Sequence, residues 1–248
     1  MFPTPPSIAI IGFGSFGRLL AELLSAHAPV SVCDRSDEAL QEAEKLGLKT
    51  TDVVDVSADI VILAVPVQKL GECLREISPQ LRPGQLVVDV CSIKEEPVHL
   101  MMKSVPEYVE ILASHPMFGP KAARNGLSGC QIVLCPIRGE KWRALAAFLR
   151  LMRFNVFITT PEEHDRQAAM TQGLTHLLAR AVASIGPRPK IRTPSYDLIA
   201  EALAMVANDG PELFEAVTLR NRHVSPIRDI LLSNLSSETR KTEGINPD

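Results

Sequence analysis

Aromatic residues make up only 4% of this 248-residue chain, so any core it forms must be built from aliphatic side chains. It also lacks an excess of charge: 26 Lys and Arg stand against 29 Asp and Glu, a formal net charge of -3. That balance argues against a nucleic-acid binder that relies on phosphate attraction. No apolar run approaches the ~20 residues that a membrane span requires. The longest surround short stretches such as "IVILAV". The opening "MFPTPPS" has neither a charged region nor an apolar one, so no signal peptide is read there. The five cysteines (Cys33, Cys73, Cys91, Cys130 and Cys135) form no C-x-x-C pair, and no metal-ligand spacing is read. Reduced, mostly buried thiols in a cytoplasmic protein are expected.

What the chain does hold is 46% hydrophobic residues, enough for a sizeable core. Up to about residue 158, short apolar runs alternate with helical stretches. The runs are "SIAIIGFG", "VSVCD", "DIVILAVP", "LVVDVC", "EILASHP", "QIVLCP" and "NVFITT". Several are apolar almost throughout, as strands buried on both faces should be. Helices are expected between the early ones, over Ser15 to Ala26 and Ser36 to Leu46. The alternation predicts an α/β fold, a Rossmann-type doubly wound, mostly parallel sheet. From Pro161 the pattern turns wholly helical: one long run ending at Gly186-Pro187, then three more, with a polar tail after Ser236 expected to fray. The chain thus divides into a dinucleotide-binding domain over 1–159 and a small all-helical domain over 160–248. The apolar stripes of the second are too rich for its volume, which points to a homodimer.

"IAIIGFGSFGRLLAELL" places Gly12, Gly14 and Gly17 in G-x-G-x-x-G spacing, with Ser15 and Phe16 inside the motif. A strand before and a helix after are the context that gives the motif meaning. Gly12 allows a tight turn, and Gly14 lets backbone approach a pyrophosphate held at the helix N-terminus. Asp34 ends the next strand, about 20 residues on, where an acid binds ribose hydroxyls. Asp34 favours NAD. Arg35 and Ser36 come directly after it and could hold a 2′-phosphate, or Arg35 could stack on adenine, so NADP stays open. Val65 and Pro66 end a further strand at the edge where ligands lie. Ser92 stands after "VVDVC" at the mouth of the crevice; it also has capping-box spacing with Glu95, so a helix N-cap is its alternative role. The strand "EILAS" delivers His115 to the same edge, and Pro116 and Pro120 stiffen the segment after it. A histidine held at such a place is a candidate base.

"SHPMFGP", with "GFGSFG" before it, "DVCSIKE" between and "EEHDRQAAMTQGLTH" after, resembles the prephenate/arogenate dehydrogenase family of tyrosine biosynthesis over roughly Ile8 to Leu235. The compact length and the "PELF" string bring it closer to plant-type arogenate dehydrogenases. The resemblance implies oxidative decarboxylation of a cyclohexadienol, hydride passing to NAD or NADP. It implies that His115 takes the proton of the 4-hydroxyl and that Ser92 orients the two. For the substrate carboxylates the candidates are Lys94, Lys121, Gln172, Thr175, His176 and Arg180. Gln172 and His176, four apart, share a helix face. Longer bacterial members carry an arginine near Thr175, and this chain does not. His164 and Asp165 are read as domain-junction residues, Asp165 suiting the positive end of its helix. Asp209, in "ANDGPELF", matches the plant-type acid that accompanies arogenate use. Its alternative role is an ordinary N-cap with Glu212 as capping-box acid. The runner-up chemistry is a β-hydroxyacid or imine reductase.

Overall fold

A computed structural model of the chain describes residues 5–51, 56–119 and 126–243. The chain divides into two compact units, Met1–His164 and Asp165–Asp248. Within the first run β1 (Ile8–Ile11), α1 (Ser15–Ser25), β2 (Val30–Cys33), α2 (Asp37–Lys45), β3 (Lys49–Thr51), β4 (Ile60–Leu63) and α3 (Val67–Ile77). Then come β5 (Leu86–Asp89), α4 (Glu95–Ser104), β6 (Glu110–Pro116), β7 (Gln131–Arg138), α5 (Trp142–Leu151) and β8 (Asn155–Ile158). The strands form one sheet in the order β3-β2-β1-β4-β5-β6-β7-β8. Every pairing is parallel except that of β6 with β7.

The uniformly apolar runs take the centre of the sheet. All residues of β1 and β4 are buried, and so are those of β5, its polar terminal Asp89 included. Ile10, Leu63, Leu86 and Leu112 expose 1% or less, and each such side chain contributes about 1.5–3 kcal/mol by leaving water. Among the described residues, the one strand that sequence reading missed is β3. It is a three-residue edge strand, Lys49–Thr51, with no apolar run to announce it.

The register decides where the functional side chains stand. Ile11 pairs with Leu63, Leu63 with Asp89, and Asp89 with Ala113. The loops after β1, β4 and β5 and the end of β6 therefore lie along one edge of the sheet. The rule for open α/β sheets places ligands at that edge. β6 differs from expectation in one respect. It does not stop before the histidine but continues through Pro116, with His115 opposite Val133 and Pro116 opposite Ile132 of β7. The antiparallel neighbour, more than the prolines, fixes the direction of the histidine.

The second unit is helical. α6 (Pro161–Ala168), in which the division falls, continues through a π-helical stretch, Ala169–Gly173, into α7 (Leu174–Ile185). The run stops at Gly186, whose φ of 142° suits only glycine. Next come α8 (Pro194–Ala204) and α9 (Pro211–Phe214), then a second π-helical stretch, Glu215–Arg220, and α10 (Val224–Glu243). The tail expected to fray after Ser236 continues as helix to Glu243. A Cβ on Gly173 would stand 2.6 Å from Val224 Cγ2 and 3.0 Å from the Val217 carbonyl oxygen, so only glycine permits that packing.

Candidate active site

The glycine loop is shaped by contacts that leave no room for side chains. Gly12 has φ +99°, and a Cβ there would sit 2.6 Å from the Ala64 carbonyl oxygen. A Cβ on Gly17 would fall 2.0 Å from the Gly12 carbonyl oxygen. Gly14 is different: nothing lies within 4 Å of its Cβ position. It is also the N-cap of α1, with no side-chain cap and no acidic residue in the first turn. The first N–H groups of α1, including those of Ser15 and Phe16, have no acceptor within their own helix and stand at its positive end. This is the cradle a pyrophosphate fits.

Asp34 lies just after β2 and binds the loop directly. Its Oδ2 accepts from the Phe13 N–H at 2.6 Å and its Oδ1 from the Ser36 N–H at 2.9 Å. Ser36 caps α2, its Oγ accepting from Ala39 N at 3.3 Å. Arg35 points to α3, where it pairs with Glu72 at 3.0 Å and with Glu76. Val65 and Pro66 form the turn into α3, for which Pro66 is the N-cap.

At the end of β5 lies a wholly buried ion pair between Asp89 and Lys94, both at 0% exposure. The Lys94 ammonium also donates to the Ser114 carbonyl oxygen at 2.6 Å, and Ser114 Oγ donates to the Asp89 carbonyl oxygen at 2.8 Å. Burial raises the Asp89 carboxyl above its usual range, against the pull of Lys94 and of the Cys91 N–H. Lys94 is therefore no candidate for a substrate carboxylate: its charge is spent beneath the edge, holding β5 to β6. The capping role read for Ser92 also fails. α4 begins at Glu95 with Lys94 as its N-cap, leaving half-buried Ser92 in the bend before it.

His115 is 3% exposed, and its Nδ1 stands 2.8 Å from Nε2 of His164, itself 4% exposed. Burial, then the charges of His164 and Lys94, hold the His115 imidazole well below the usual histidine range. Desolvation disfavours the charged ring, so it stays neutral through neutral pH. Past His115 the chain folds back, and Phe118 meets Phe16 of the glycine motif with ring centroids 6.2 Å apart. Pro120 and Lys121 lie outside the described residues.

In the helical unit, a cleft of about 200 Å³ is lined by His176, Arg180, Ala183, Val206, Asp209 and Phe214. His176 Nε2 meets Asp209 Oδ2 at 3.1 Å, and its Nδ1 meets the Gln172 carbonyl oxygen at 2.8 Å. Asp209 is not an N-cap. Gly210 holds that position for α9, with no side-chain cap. The Arg180 guanidinium lies 3.4 Å from the centre of the Phe214 ring. Thr175 is turned back onto its own helix, donating to the Thr171 carbonyl oxygen at 2.6 Å. His164 and Asp89 are the residues that sequence reading missed. His164 was visible only as a junction histidine, and Asp89 only as an acid inside the run "LVVDVC".

The family model described as prephenate dehydrogenase, nucleotide-binding domain, matches residues 20–155. Arogenate dehydrogenase 2 of Arabidopsis thaliana is 29% identical over 227 residues, covering 86% of this chain and 63% of that protein. A probable arogenate/prephenate dehydrogenase of Methanocaldococcus jannaschii is 29% identical over 245 residues, covering 92% and 54%. The chain thus spans between half and two thirds of those two relatives. A prephenate dehydrogenase from A. aeolicus, in complex with hydroxyphenyl propionate and NAD+, superposes with a TM-score of 0.77 at 21% identity, covering 98% of this chain and 94% of that one. At that identity the likeness shows the fold.

The buried pair makes a direct prediction. Lys94→Met leaves the Asp89 carboxylate buried without its cation, which costs about 3–5 kcal/mol. Urea unfolding should show a loss of that size. A loss under about 1 kcal/mol, the scale of an exposed pair, would contradict the geometry.

Proposed function

Because the chain belongs to the prephenate dehydrogenase family, we propose that it catalyses oxidative decarboxylation of a cyclohexadienol, with hydride transfer to a bound nicotinamide dinucleotide, in tyrosine biosynthesis. The observation that carries the reading is the buried, neutral imidazole of His115 at the sheet edge that also bears the glycine loop. When bound, the dinucleotide accepts the hydride. His115 Nε2 takes the proton of the substrate's 4-hydroxyl as the hydride departs, so no protonated carbonyl forms. Ser92 orients that hydroxyl. Loss of carbon dioxide from C1 then makes the ring aromatic. A β-hydroxyacid or imine reductase is less supported: the helical run from Asp165 to Ala181 contains no lysine.

The cofactor we propose is NAD. The Asp34 carboxylate repels a 2′-phosphate, and Arg35, which would have welcomed one, is already met by Glu72 and Glu76. The substrate we propose is arogenate, with Asp209 facing its ammonium. One carboxylate oxygen is held by His176, and the side chain is 27% exposed, so the other can take a charge-assisted bond. Gln172 offers a further polar contact to that end of the substrate, His176 serves it by holding Asp209, and Lys121 remains a candidate for the ring carboxylate. The helical domain, residues 160–248, is proposed to form a homodimer. α8 buries none of its residues, and Leu198, Ile199, Ile191 and Met205 are exposed on or beside it.

Three measurements test these readings. His115→Asn should keep dinucleotide binding and lose ~10²–10⁴ of kcat. Because burial lowers its pKa, the acid limb of wild-type kcat/KM should fall below the ordinary histidine value of ~6.5. A limb at or above that value, or a mutant within threefold of wild type, removes His115 from the mechanism. An assay crossing arogenate and prephenate with NAD and NADP should favour arogenate with NAD, and Asp209→Asn should shift preference toward prephenate. An unchanged ratio would dispose of Asp209 as discriminator. Sedimentation should give a dimer in active enzyme; an active monomer at micromolar concentration would refute the assembly.

A further inference from the structure

Two imidazoles 2.8 Å apart in a buried site are unusual neighbours. With no proton between the facing nitrogens, two lone pairs oppose each other; with two, two N–H groups collide. One proton must lie between them, and its owner decides what His115 can do. If His164 Nε2 holds it, the neutral His115 carries its own proton on Nε2 and is a donor there. If His115 Nδ1 holds it, Nε2 is a bare lone pair and can accept.

We infer that His164 is the positioning residue for His115: it accepts the Nδ1 proton, and so turns Nε2 toward the substrate hydroxyl as an acceptor. The inference rests on the proposed function and deepens it, because a base is of use only in that tautomer.

The fold builds the contact from two directions. Ile158, the last residue of β8, pairs with Leu134, which stands opposite Ser114 of β6. Thr159 N donates to the Leu134 carbonyl oxygen at 3.1 Å, so the chain enters α6 level with the end of β6. Pro161 starts the helix, and the His164 N–H closes its first turn on the Thr160 carbonyl oxygen at 3.0 Å. Side chains in a first turn lean back toward the helix start, which here is the side of β6. The rings meet at 63° with centroids 5.0 Å apart, an edge-on approach that suits a nitrogen-to-nitrogen hydrogen bond. Among the described residues, the charged groups bearing on His115 are His164 and Lys94, the latter paired with Asp89.

Two substitutions separate positioning from space-filling. His164→Gln keeps an acceptor that can reach Nδ1. His164→Phe keeps the ring volume and removes the acceptor. The glutamine variant should retain kcat to within about threefold, whereas phenylalanine should lose at least ~10-fold, within the span of general-base effects. Dinucleotide affinity should be the same in both. ¹⁵N-detected NMR of the wild-type enzyme should find the His115 proton on Nδ1. A phenylalanine variant as active as glutamine, or a wild-type His115 proton on Nε2, overturns the inference. If wild-type enzyme turns over neither cyclohexadienol, the proposed function falls, and the NMR tautomer still decides on His164 alone.

Discussion

An ammonium ion buried under the sheet edge holds the candidate site together. Lys94 cannot keep its charge at 0% exposure without partners, because an isolated buried charge costs far more than a domain can spare. Its partners are the Asp89 carboxylate at the end of β5 and the Ser114 carbonyl next to His115. The reciprocal bond from Ser114 to the Asp89 backbone closes the clamp. Two strands that parallel pairing alone would leave loose at their ends are thus locked at the level where chemistry is expected. The same positive charge helps keep the neighbouring imidazole neutral.

Much of the fold was legible in the sequence. Fully apolar runs separated by helical stretches specify a parallel sheet, because such a sheet is covered on both faces. The glycine spacing pointed to a tight turn before a helix start, and Gly12 has φ +99° there while the Cβ position of Gly14 is open. What was not legible depends on distance across the fold. Lys94 looked like a free cation because nothing local shows that Asp89, five residues earlier, turns back to meet it. His164 looked like a domain-junction residue because its partner lies 49 positions away. Asp209, read as a substrate-facing acid, had an N-cap as its alternative role, since both share one local pattern; the backbone puts Gly210 in the cap.

The helical unit shows another property hidden from periodicity. Its long run reads as one α-helix, yet it passes through a π-helical stretch at Ala169–Gly173, and a second occurs at Glu215–Arg220. Such bulges shift the side-chain faces on either side and often occur at functional positions. Here the first ends at Gly173, where Val224 packs too closely for any side chain. It precedes His176, whose contact with the Gln172 carbonyl and Asp209 lines the cleft. Helical spacing grouped Gln172 with His176, but it gave no sign of the contact that His176 makes with Asp209, 33 positions on.

The central claim is that His115, neutral and aimed through Nε2, takes the hydroxyl proton. A crystal structure of the enzyme with a nicotinamide dinucleotide and the aromatic product tests it most directly. The account predicts the product's phenolic oxygen within hydrogen-bond reach of His115 Nε2, about 2.6–3.2 Å, and the nicotinamide ring over the carbon that bears it. A phenolic oxygen held by other groups, with His115 Nε2 turned away from the ligand, would contradict it.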